Sequence, residues 1–129
     1  MSNKFNEIKE EWFKQAEYDI KTADAMFKTG RYIYAVFMCH LSIEKYLKGK
    51  YSELNQTYSP KTHDLIFLLS RMDIEISQQN ESFLEELNDI SILTRYPSDL
   101  TKMMKEYDKE RTKTIMKKTE EVINCIKTS

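Results

Sequence analysis

The 129-residue chain sets 20 Lys and Arg against 21 Asp and Glu, and the resulting formal charge of −1 excludes the global basic field that drives non-specific nucleic-acid binding. Gly and Pro occur only twice each among abundant Lys, Glu, Leu, Ile, Met and Tyr, which favours long helices with few obligatory turns. The length suits one domain, 1–129, built on one core.

The N-terminal MSNKFNEIKEEW is charged and lacks an apolar centre, and no run approaches the roughly eighteen apolar residues that span a bilayer. Cys39 and Cys125 lie far apart, each inside an apolar helical pattern and without metal-ligand spacing. They read as buried free thiols of a soluble, unprocessed protein in a reducing cytoplasm, with no membrane association.

From Ile8 through Trp12, Ala16, Ile20, Ala23 and Phe27, apolar residues return every three or four positions and line one helix face. Gly30 supplies the permissive backbone of its C-cap. A second helix is predicted from about Tyr32 to Leu54, apolar nearly all round in its first half. Tyr32, Ile33, Tyr34, Val36, Phe37 and Met38 there point in nearly every direction, so an apolar surface that seeks a partner subunit is expected, and with it a homodimer.

NQTYSPKT is the clearest loop, and Thr62 is placed to cap a short third helix carrying Leu65, Leu68, Leu69 and Met72. After the polar break ISQQNES, a fourth helix carries Phe83, Leu84, Leu87, Ile90 and Leu93 and ends near Tyr96, because Pro97 disfavours a helical residue before it. Ser98 or Asp99 then caps a last helix, continuous from Leu100 or broken near Asp108, with Ile115, Val122, Ile123 and Ile126 inside. The expected fold is all-α, a bundle of four long helices plus a short one.

His40, Glu44 and Lys48 follow at i, i+4 and i+8, a polar stripe on a largely apolar rod with Lys45 beside it. Two readings are open. In one the helix emerges from the core, and Glu44 and Lys48 form a solvated ion pair worth about a few tenths of a kcal/mol. In the other the stripe borders a cleft for a small anionic ligand. His63, in PKTHDL, serves as a capping or packing residue or as a site residue. Asp19 falls between Ala16 and Ala23 on an apolar face, where a lone carboxylate is costly unless paired, with Lys48 or Arg95 as partner across the bundle.

TRYPSD, 94–99, puts a guanidinium and a phenol at a helix end beside a new helix N-terminus. Arg95 offers a planar fork for phosphate, Tyr96 a stacking face, and the free N–H groups after Pro97 favour an anion. The same parts build a plain helix corner. Two glycines leave no room for a phosphate-binding glycine loop, no E-x-x-H pair supplies a di-metal bundle, and the serines lack nucleophile-elbow context. His40, Glu44 and His63 are the one conceivable metal set, and nothing else in the sequence demands a metal or a cofactor.

Five segments together resemble the HEPN domain family: Ala16-x-x-Asp19, Gly30-Arg31-Tyr32, HLSIEKYLK at 40–48, PKTHDL at 60–65 and TRYP at 94–97. The resemblance runs from about Trp12 into the last helix. It implies an all-α up-and-down four-helix bundle with an additional short helix that commonly dimerises. It also implies a role beside a minimal nucleotidyltransferase, as a substrate- or nucleotide-binding subunit; other members are RNA-cleaving toxins or parts of defence systems. The ribonuclease branch uses an Arg followed after roughly four to six residues by a His, the pair meeting its copy across the dimer. Here Arg31 precedes His40 by too many residues, and no His follows Arg71, Arg95 or Arg111.

The expectation is therefore a non-catalytic module, without catalytic residues, that binds a nucleotide or RNA phosphate through Arg95, Tyr96, Lys45 and Lys48, with Asp19, His40, Glu44 and His63 shaping the pocket. The alternatives are an interaction subunit of a toxin–antitoxin-like pair and a metal-independent ribonuclease that works through its histidines.

Overall fold

The computed structural model describes residues 3–129, apart from the side chains at 97 and 98. Helix α1 spans Lys4–Lys28, and its first turn is capped by Asn3, whose side chain accepts from the N–H groups of Phe5 and Asn6 at 2.9 and 3.2 Å. Gly30, at φ +78°, ends it: Gly30 N–H returns to Phe27 O and Arg31 N–H to Met26 O, the paired bonds of a Schellman motif. The chain then reverses directly into α2, Tyr32–Asn55. The two helices lie along one another and pack tightly at Gly49, where an added Cβ would meet the Phe13 ring at 2.9 Å.

Helix α2 is the shared wall of the bundle, packing on α1, α3, α4, α5 and α6. This contact explains its all-round apolar start: Ile33, Ala35 and Val36 are buried, Tyr32, Phe37 and Met38 are half-buried, and only Tyr34 of that segment is exposed. The chain's own helices thus bury Ile33 and Val36, and leave Tyr34 with parts of Tyr32, Phe37 and Met38 at the surface expected to seek a partner.

Helix α3, Leu65–Ser70, begins later than a Thr62 cap implies. Asp64 caps it through Ile66 N and Phe67 N, while the Thr62 hydroxyl accepts from Asp64 N and closes the preceding turn. Helix α4, Gln78–Leu93, starts inside the polar break under a Ser77 cap. Helix α5, Pro97–Glu106, has Pro97 in its first turn and Tyr96 as a cap without a side-chain bond, so Asp99 lies inside the helix; the capping role expected of the Ser98 side chain lies outside the described residues. Of the two forms expected for the last helix, the broken one is found: Asp108 accepts from Arg111 N and opens α6, Lys109–Lys127.

The chain is a bundle of four long helices, α1, α2, α4 and α6, with α3 and α5 as shorter additions. Its core joins Ile43 and Leu47 of α2 to Leu65 and Leu68 of α3, Leu84 and Leu87 of α4, and Val122 and Ile126 of α6. Cys39 is buried with its thiol pushed up to about 11 by that burial, whereas Cys125 is only half-buried. No helix among the described residues is long and apolar enough to cross a membrane.

Candidate functional site

The stripe on α2 faces inward. His40, Glu44 and Lys48 are all buried because α1 covers one flank and the turn before α3 covers the other. Glu44 is the hub: Oε2 accepts from Lys48 Nζ at 3.0 Å, and Oε1 lies 3.0 Å from His63 Nδ1. A carboxylate paired with an ammonium offers only acceptors, so His63 Nδ1 carries a proton toward it, and Nε2 has no hydrogen-bond partner among the described residues on a ring whose side chain is 64% exposed. Lys48 also lies 5.5 Å from the centre of the Trp12 ring.

His40 belongs to a second group. Asn88, from α4, donates through Nδ2 to Asp64 Oδ1 at 2.9 Å, which fixes the direction of its amide. Its Oδ1 therefore accepts Leu65 N–H at 3.1 Å and lies 3.2 Å from His40 Nε2, an acceptor that favours the tautomer with its proton on Nε2. Burial lowers the His40 pKa, against the opposite pull of the Asn88 hydrogen bond and the Glu44 charge. Asn88 thus pins the start of α3 to α2 and α4 at once.

Above this junction lies a hollow of about 340 Å³, lined by His63, Asp64, Asn88, Asp89, Ser91, Ile92 and Arg95. Arg95 and Tyr96 are both exposed, and Arg95 borders the hollow, whereas Tyr96, the cap of α5, does not line it. Lys45 and Lys48 do not line the hollow. Lys45 lies 2.7 Å from Asp19 Oδ2, off the line of a hydrogen bond, so the contact is an ion pair; neither Lys48 nor Arg95 is the partner of Asp19. Lys48 is held by Glu44 and lies against the Trp12 ring of α1.

His40, Glu44 and His63 do not converge as a metal set, since His40 turns to Asn88 while Glu44 takes His63. No three His, Cys, Asp or Glu side chains gather to hold a metal among the described residues. Sequence reasoning missed Asp64, Asn88, Asp89, Ser91 and Ile92. Asn88 and Ser91 carried a readable signal, for they continue the buried row Leu84, Leu87 at helical spacing with polar side chains.

Chemically, the hollow combines a guanidinium, an imidazole with an unpartnered nitrogen, the carboxylates of Asp64 and Asp89, and the apolar Ile92. This suits a flat or apolar body that carries an anionic group at one end and hydrogen-bond donors elsewhere.

The crystal structure of TT1696 from Thermus thermophilus superposes with a TM-score of 0.79, covering 93% of this chain and 96% of that one at 19% identity, a likeness that speaks for the fold. No curated protein matches the sequence. The HEPN domain profile matches residues 9–129, and the chain belongs to the HEPN domain family.

Proposed function

We propose that the chain is a non-catalytic HEPN module of the nucleotidyltransferase-associated kind, which binds a nucleotide or an RNA phosphate and serves a minimal nucleotidyltransferase in the cytoplasm as a homodimer. One observation carries the reading: Arg95 and His63, far apart in sequence, border the same 340 Å³ hollow. That volume falls in the range of about 300–1,000 Å³ usual for small-molecule sites. Lys45 and Lys48, neutralised by Asp19 and Glu44, act in this reading through the packing of the helix that carries His40, and Tyr96 supplies a stacking face next in sequence to Arg95.

Calorimetry with ATP tests the proposal. Binding by the wild type that Arg95→Ala abolishes is expected, and absence of binding in both removes the site. Co-expression with a neighbouring nucleotidyltransferase tests the partner role; a stable complex that has no nucleotide affinity favours an interaction subunit instead.

The Glu44–His63 pair favours a second reading. A buried carboxylate orienting an exposed imidazole, with the distal nitrogen free, is the geometry of a general base. In that reading His63 takes the proton of a ribose 2′-hydroxyl while Arg95 holds the adjoining phosphate. RNA cleavage in the presence of EDTA that His63→Ala abolishes would replace the non-catalytic reading.

A further inference from the structure

The hollow contains more than a phosphate requires. Arg95 supplies a cation, but Asp64 and Asp89 bring two carboxylates to the same wall, which weaken the attraction for a bare anion. Asp64 is accounted for: its Oδ1 takes Ile66 N–H, Phe67 N–H and Asn88 Nδ2 and holds the start of α3. Asp89 is not. It is exposed on α4, lines the hollow, and forms no ion pair among the described residues.

A carboxylate is acceptor-only, so in a binding site it favours a ligand edge made of donors and repels lone pairs. Among the nucleic-acid bases, guanine alone presents two adjacent donors, N1–H and the 2-amino group, on its pairing edge. Adenine and cytosine set an amino donor beside a ring-nitrogen acceptor, and uracil sets one N–H between two carbonyl acceptors. A mononucleotide carries such an edge at one end and its phosphate at the other, with a flat apolar body between. The hollow offers Asp89, Arg95 and the Ile92 side chain for those three parts.

We infer that Asp89 is the base-reading group of this hollow and selects guanine nucleotides, with the phosphate on Arg95 and the base against Ile92. The inference rests on the reading of the hollow as a nucleotide site, and deepens it.

Calorimetry on the full chain with GMP, IMP, AMP and inorganic pyrophosphate, repeated on Asp89→Asn, tests it. GMP binds about tenfold or more tightly than AMP, as a pair of charge-assisted hydrogen bonds demands, and IMP, which keeps N1–H but lacks the 2-amino group, falls between. Asp89→Asn, on an exposed helix face, keeps the wild-type melting temperature and brings GMP and AMP within about twofold of each other. Equal affinities in the wild type, a GMP preference that survives Asp89→Asn, or an equal gain for every ligand in that variant overturns guanine selection while the nucleotide site stands. Failure of all four ligands to bind overturns the site itself and the inference with it.

Discussion

Replacing Glu44 by Gln removes one charge from the centre of the site and leaves its shape in place. The Lys48 ammonium lies 3.0 Å from Glu44 Oε2, with the two side chains 10% and 4% exposed. At an effective dielectric of about 20 the gross attraction is roughly 5 kcal/mol, most of it set against the cost of drying both groups. Removing one partner forfeits the attraction and keeps the drying cost of the other, typically about 3–5 kcal/mol. Two features pull Glu44→Gln toward or just below the low end: the amide oxygen still accepts from Lys48, and the Trp12 face still lies under the ammonium. The contact with exposed His63 adds nothing to this sum.

The expected loss is therefore about 2–3 kcal/mol. In urea unfolding followed by circular dichroism it lowers the midpoint by about 1–2 M at unchanged slope. The double replacement Glu44→Leu with Lys48→Met recovers most of the loss, because neither charge is then buried alone. A Glu44→Gln protein within about 0.5 kcal/mol of the wild type would refute the argument, since it would mean that water reaches Lys48.

Three further outcomes are expected. The depressed pKa of His40 makes its contribution to stability fully present above the unfolded value near 6.5 and lost as pH falls through the lower folded value; the unfolding midpoint of the wild type should drop across that window, and that of His40→Gln should drop less. Cys125 should react with a thiol reagent at pH 8 well before Cys39, whose thiol stays protonated until about 11; simultaneous modification of both in native buffer would contradict the burial of α2. Gly49→Ala gains about 1 kcal/mol of helix propensity but drives a methyl to 2.9 Å from Phe13 and 3.0 Å from Trp12 Cβ, so thermal melting should show a net loss of about 1–2 kcal/mol.

The long helices were legible because apolar spacing reports burial directly: Ala16 and Ala23, Leu84 and Leu87, and Val122 and Ile126 are all buried as their periodicity implies. Gly30 was legible for a different reason, since a positive φ at a helix end has few other tenants. The start of α3 was not, because Thr62 and Asp64 are both good caps and only the backbone geometry decides between them. Partner choice was also hidden. Asp19 meets Lys45 through the sliding register of α1 on α2, which no single-helix pattern encodes. The stripe His40, Glu44, Lys48 could be read from spacing, but its burial depends on α1 and on the turn before α3, and a solvated pair looks the same in sequence. Asn88 continues the buried row of α4 as a polar residue, which marks it as a candidate, but what it bonds to is set by α2 and by the turn before α3, and no single-helix pattern encodes that.

The Schellman turn at Gly30 also bears on the order in which the molecule assembles. It joins two helices directly, so the α1–α2 pair can zip outward from the turn, each contact closing only a short loop once its neighbour is made, and can act as the folding nucleus. The Asn88 junction must instead bring α4 back to His40, 48 residues earlier in the chain, which makes it a late and easily reopened unit. Amide exchange should then be slower in α1 and α2 than around Asp64 and Leu65, and a ligand bound at Arg95 that needs that corner closed would bind more weakly by the fraction of time it is open.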